Sequence, residues 1–152
     1  MSAQSEPSAP APTRLEPPVG PESAPFWDAT REGSLLVQWC TTCDRGVFYP
    51  RSFCPHCGAS GDTLEWRRAT GRATVYAAVV ENHPETTGAA FSDGEPYCVA
   101  LVDLDEGVRM MSNVVGCPPE EVRTGMAVEV AWEPLSDGRR LPVFRPAAAA
   151  GP

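Results

Sequence analysis

The chain of 152 residues has no lysine: all twelve basic residues are arginine, which fits a GC-rich coding bias. Histidine is nearly as scarce, with only His56 and His83 available as imidazole bases. No stretch approaches the roughly eighteen apolar residues of a membrane helix, so no span is expected. The first residues lack a basic start followed by an apolar run, so no secretory signal is expected either. Positive charge is also short overall, with a formal net charge of −8. Between residues 40 and 72, five arginines face three acids; between 73 and 146, twelve acids face five arginines. Binding to a nucleic-acid backbone relies on dense positive charge, so the acidic second half argues against that class of ligand.

Against these absences stand four closely spaced cysteines. Cys40, Cys43, Cys54 and Cys57 form two Cys-x-x-Cys knuckles with ten residues between them. Two residues between cysteines let both sulfurs turn toward one point, and two such tips face to face make the tetrahedral cage of a closed structural zinc site. Gly46 and Gly58 follow the knuckles and suit tight turns there. The spacer leaves room for a small hairpin through Val47, Phe48 and Tyr49 that returns at Pro50. Zn2+ is the expected cofactor, with iron in the same sulfur cage as its rival. A redox Cys-x-x-Cys occurs once at a helix start, whereas this motif occurs twice among turn residues. Four thiolates leave no open coordination position, so the site holds structure and activates no water, and His56 faces away from it. Free thiols beside such a site point to a cytoplasmic location.

Composition divides the rest. Residues 1–24 are rich in Pro, Ala, Ser and Glu and are expected to be a disordered leader. Residues 25–70 read as a short helix plus the zinc ribbon, with Pro25 at the helix start and Gly33 at its exit. The aromatics Phe26 and Trp27 on that helix either cover the ribbon or dock on a partner. Leu35–Trp39 enters the first knuckle as a strand, and Thr63–Arg68 leaves the second as another. Residues 71–146 read as all β, with strands over Ala73–Val80, Tyr97–Leu104, Val108–Val115, Met126–Glu133 and Leu141–Phe144. Cys98, Ala100, Val102 and Leu104 share one face of the second strand, and Met126, Val128, Val130 and Trp132 share one face of the fourth. A single helical turn at Pro118–Val122 falls between the third and fourth strands. Five strands with an insert at that point follow the OB-fold plan, although other small barrels fit the pattern too. Residues 147–152 are expected to be a disordered tail. The expected fold is therefore mainly β: a short N-terminal helix, a four-cysteine zinc ribbon and a five-stranded OB-fold barrel.

The pair Phe26-Trp27, the segment Gly33–Gln38, the two knuckles with Pro50-Arg51 between them, Gly71–Tyr76, Pro96–Ala100, Leu104–Arg109, Thr124–Val130 and Leu141–Pro146 together resemble a bacterial and archaeal family. That family joins a rubredoxin-like zinc ribbon to an acyl-CoA-associated OB-fold, and the resemblance covers about residues 25–146. It implies a small accessory subunit that forms a hetero-oligomer with a thiolase-fold enzyme, such as a thiolase or a thiolase-like aldolase. In some cases a hotdog-fold hydratase is the partner. The subunit would help form or bridge an acyl-CoA site, with catalysis in the partner.

The residues agree that catalysis is not expected here, because no nucleophile and base, or acid and base, are placed together. Cys98 sits on an apolar strand face, and Cys117 has no basic neighbour in sequence to lower its pKa. Asp103, Asp105 and Glu106 crowd a turn without the spacing of a calcium loop. Candidate ligand-binding residues are Arg67, Arg68 and Arg72, which could meet a CoA phosphate, with His83 and Phe91 from the long connection between Asn82 and Pro96. Candidate partner contacts are Phe26, Trp27, Phe48 and Tyr49. The alternatives are a nucleic-acid-binding zinc-ribbon/OB module and an electron carrier with iron in the cage. The charge distribution predicts no binding of single-stranded DNA or RNA at physiological salt in an anisotropy titration. Salt-sensitive micromolar binding is the result that would favour the nucleic-acid module.

Overall fold

The structure is a computed structural model and describes residues 16–82 and 95–149. The N-terminal unit holds helix α1 (Ala24–Thr30) and strands β1 (Leu36–Cys40), β2 (Arg45–Val47) and β3 (Leu64–Arg68). The strands form an antiparallel sheet in the order β2-β1-β3. The second unit holds β4 (Arg72–Glu81), β5 (Tyr97–Leu104), β6 (Arg109–Val114), β7 (Ala127–Pro134) and β8 (Arg140–Pro146), with a 3-10 turn at Pro119–Glu121. These strands close into a barrel in the order β4-β5-β6-β8-β7, the OB-fold expected from the sequence.

Barrel closure follows from side-chain alternation. Cys98, Ala100, Val102 and Leu104 on β5 all point inward and are buried, as the period-two pattern predicts. Val75, Val102, Val128, Val143 and Phe144 form the centre, and burying each such side chain contributes about 1.5–3 kcal/mol. On β4 the register shifts between Val75 and Ala77, at Tyr76, whose side chain is exposed. The weakest join is the seam between β6 and β8. These strands run parallel and share a single ladder pair, Val114 with Phe144. Away from that pair the seam is bridged by a side chain, as Ser112 Oγ donates to the Pro142 carbonyl at 2.9 Å.

Helix α1 docks on the barrel through Phe26 and Thr30, both buried. Phe26 belongs to the barrel core and meets Trp27 and Phe48 edge-on at 5.0 and 5.8 Å. The Thr30 hydroxyl donates to the Trp27 carbonyl and accepts from the Arg140 amide. Part of the leader expected over 1–24 is also tied down. The Glu16 carboxylate accepts from the amide and hydroxyl of Ser136, and the buried Arg139 donates to the Pro17 carbonyl at 2.9 Å. Arg139 also pairs with Asp137 at 2.6 Å and lies 4.9 Å over the Trp27 ring. The Arg139 amide, and then its guanidinium, hold the Asp137 carboxyl below the usual range. Residues 1–15 and 150–152 lie outside the described residues. At the other end, the Ala147 amide donates to the Ala127 carbonyl.

The role expected of Gly46 is corrected. The left-handed residue of the first knuckle is Asp44, with φ 53°, a conformation that Asp tolerates better than most residues. Its carboxylate accepts from the Trp39 indole at 2.8 Å. Gly46 is instead the point where the ribbon touches the barrel. A Cβ there would lie 2.5 Å from Val108 Cγ1 and 3.2 Å from the Glu106 carbonyl oxygen. The hairpin expected through Val47, Phe48 and Tyr49 is also absent, because β2 ends at Val47 and pairs with β1. Phe48 and Tyr49 leave the sheet and cross to the barrel, where the Tyr49 hydroxyl accepts from the Met111 amide at 3.2 Å. The buried Gln38 holds the chain beyond them, donating to the Arg51 carbonyl and accepting from the Arg51 amide.

Gly46→Ala is expected to destabilise the protein by about 1–3 kcal/mol through overpacking. Val108→Ala should cost less in that background than in the wild type. Thermal melts of the four proteins form the double-mutant cycle, and strict additivity would rule out the proposed contact.

Candidate metal centre and apolar cleft

The four cysteines converge. Their sulfurs all lie within 4.8 Å of one another. The pairs Cys40–Cys57 and Cys43–Cys54 are each 3.7 Å apart. Bonds of about 2.3 Å to zinc place tetrahedral sulfurs about 3.8 Å apart, so the cage fits the ion. Cys40 and Cys43 come from the β1–β2 tip, while Cys54 and Cys57 come from a second tip closed by the Cys54 amide on the Ala59 carbonyl and the Gly58 amide on the Cys54 carbonyl. Gly58 takes φ 77° there, the turn expected of it.

Protonation gives the same fit. The backbone N–H of Cys43 draws the Cys40 thiol down to about 6. Burial, and then the neighbouring sulfurs, push Cys43 up to about 12. One thiolate forms readily and further negative charge is resisted, which is the condition that a dication relieves. With four sulfurs already in place, bound zinc contributes folding energy and offers no open position. His56 stays outside the cage, with Nε2 3.3 Å from the Gly46 carbonyl oxygen.

Phe26, Trp27, Phe48 and Tyr49, predicted as partner contacts, also come together. They form one wall of a cleft of about 600 Å³ between the N-terminal unit and the barrel. Phe26 is 5% exposed, so it shapes the wall and offers no free anchor, whereas Tyr49 is 50% exposed. The facing wall comes from Val99 on β5, Met110 and Met111 on β6, and Leu141 and Pro142 on β8. The cleft therefore opens along the β6–β8 seam. Ser23, Ser112 and Asn113 add polar atoms, and Pro17 and Pro18 complete the rim. Such a mostly apolar space with few polar groups suits a small hydrophobic group.

The predicted arginines do not join this cleft. Arg67 pairs with Glu65 at 2.9 Å and lies 4.7 Å over the Trp39 ring. Arg72 pairs with Asp105 at 3.1 Å, and Arg68 is exposed on β3. His83 and Phe91 lie outside the described residues. Cys98 is buried, which raises its pKa, and burial followed by Glu121 and Glu120 raises that of Cys117. Neither is an activated thiol. The facing wall was missed from sequence. Its signal was Tyr97 and Val99, on the outward face of a strand whose inward face was already apolar.

A four-thiolate ribbon packed on a closed five-stranded barrel defines a zinc-ribbon/OB-fold protein. Residues 27–63 match the family described as "ChsH2, rubredoxin-like zinc ribbon domain", and residues 66–133 match "ChsH2, C-terminal OB-fold domain". A "DUF35 domain-containing scaffold protein" of Methanothermobacter thermautotrophicus is 33% identical over 68% of this chain and 75% of its own length. A "probable enoyl-CoA hydratase alpha subunit" of Thermomonospora curvata is 36% identical over 88% of this chain, which spans only 40% of that relative's length. A solved structure titled "Ltp2-ChsH2(DUF35) aldolase" superposes with a TM-score of 0.75 at 35% identity, over 88% of this chain and 100% of the matched one. The chain belongs to the DUF35 family of ChsH2-type zinc-ribbon/OB-fold proteins. Among its described residues no helix is long and apolar enough to cross a membrane.

Protein purified without added metal is expected to be colourless and to carry about one zinc per chain by elemental analysis. Cys43→Ser should lose the metal and melt far earlier, since structural zinc binding is worth about 10–16 kcal/mol in finger peptides. A stable, metal-free wild type is the contrary result.

Proposed function

We propose that this chain is a non-catalytic accessory subunit of a thiolase-fold enzyme acting on an acyl-CoA, and that its cleft completes the space for the acyl group. The observation that carries this is the superposition on the whole of a chain from the solved aldolase. The chemistry of the chain supports the same reading. The described residues pair no nucleophile with a base, and the thiols outside the cage are raised in pKa. The cleft is apolar enough for a hydrocarbon group, and no carboxylate, imidazole or thiol is among the described residues that line it.

The hydratase alpha subunit among the relatives favours a hotdog-fold hydratase as a further partner in the same class of assembly. Of the three candidate arginines, Arg68 remains the one to meet a CoA phosphate within that assembly, since Arg67 and Arg72 are engaged with Glu65 and Asp105. His83 and Phe91 keep the role of candidate ligand contacts from the long β4–β5 connection. The assembly would work in the cytoplasm.

Co-expression with a thiolase-fold enzyme should yield a stable complex on size exclusion. Acyl-CoA turnover should appear in the complex and be absent from this chain alone. Turnover by the isolated chain, or full activity and stability of the enzyme without it, would falsify the accessory role.

A further inference from the structure

The outer wall of the barrel carries an apolar face that the ribbon and the helix meet only at its cleft end, around Val99 and Met111. Across β4, β5 and β6 the register places Val79 beside Val99, Ala77 beside Leu101, and Leu101 beside Met111. Val79 is 67% exposed and Met111 59% exposed, on strands whose inward faces are already buried in the core. One end of this face is held in a fixed arrangement. The Arg109 guanidinium lies 3.3 Å from the Tyr76 ring centroid and donates two hydrogen bonds to Asp103, at 2.6 and 3.0 Å. The other end runs into the cleft, because Val99 and Met111 line both.

We propose that this face is the docking surface for the thiolase-fold partner, with Val79 and Met111 at its centre and the Tyr76–Arg109 stack at its edge. The proposal rests on the accessory reading and assigns it a surface. Exposed apolar patches rimmed by polar groups mark protein interfaces, and Tyr, Arg and Met are enriched in interfaces relative to the rest of a protein surface. The stack is already ordered in the free chain, so docking immobilises fewer side chains.

Charge selects the occupant. Two copies would bring together chains of net charge −8, and nucleic acid would meet the twelve acids against five arginines of residues 73–146. A folded enzyme with an apolar patch inside a basic rim complements both features. Continuity with the cleft adds a geometric reason. A protein seated on β4–β6 covers the open side at Met111, so the apolar space becomes shared between the two chains.

The test uses the full chain and the co-purified thiolase-fold enzyme. Val79→Asp and Met111→Asp place a charge on exposed positions and should leave the melting temperature of the free chain unchanged. Each should weaken binding to the enzyme by at least about tenfold in calorimetry. Ala148→Asp, an equal charge change at an exposed residue beyond β8, should bind like the wild type. Association should slow as salt is raised. If the wild type binds and both face variants bind equally well, the face is wrong while the accessory role stands. If the wild type binds no thiolase-fold enzyme, the accessory role fails and the assignment of the face falls with it. If Val79→Asp abolishes self-association of the free chain and leaves enzyme binding intact, the face belongs to a second copy and the proposal is overturned.

Discussion

Four thiolates around one point are the constraint on which the N-terminal unit depends. Its own buried cluster is Cys40, Val47 and Cys54, with only Cys43, Ala59 and Leu64 packed against it. That is too little apolar surface to hold two loops in register, so the metal supplies what a core of this size cannot. Once the tips are fixed, β1 is fixed between β2 and β3, and the chain beyond β2 must leave in one direction. That direction carries Phe48 and Tyr49 to the barrel. The Phe48–Tyr49 part of the cleft's aromatic wall is therefore positioned by sulfur chemistry some distance from it.

The barrel contributes a complementary weakness. A sheet closes fully only where its last two strands find each other, and β6 and β8 meet at a single pair. Backbone groups along the rest of that seam need other partners, and a tyrosine hydroxyl from the ribbon serves the Met111 amide. The two units thus solve each other's deficits: one lacks a core, the other lacks a complete edge. The link between them is short and stiff. The Ala69 amide bonds to the Leu35 carbonyl, the Thr70 amide to Glu106, and the Val130 amide to the Gly71 carbonyl. Gly71 at φ 80° passes so close to Val130 that a Cβ would sit 2.6 Å from its Cγ1.

Much of this was legible from sequence because the signals were local. Knuckle spacing announces a cage whatever surrounds it, and the alternation along Tyr97–Leu104 gives both the strand and its inward face. The five strands and the insert at Pro118–Val122 placed the barrel. What could not be read was anything set by contact between the units. Gly46 looked like a turn residue and is a contact point, because its neighbour Val108 is sixty-two positions away. Phe26, which from sequence could cover the ribbon or dock on a partner, packs into the barrel core, because the barrel wall that buries it lies far along the chain. The cleft belonged to the same blind spot: its aromatics were singled out, yet their assembly with Met110, Met111 and Leu141 depends on where the seam opens. The arginines were singled out for their charge, and two of the three are engaged with acids beside them in the fold.

The clamp on residues 16–18 also gives the molecule a direction. Glu16 is tied to Ser136 and Pro17 to Arg139, while Pro17 and Pro18 form part of the cleft's rim. The backbone therefore enters the fold across the mouth of the cleft. The rim is thus built partly from the chain's own lead-in, and whatever enters the cleft on that side must pass a strand of backbone held by two side-chain contacts.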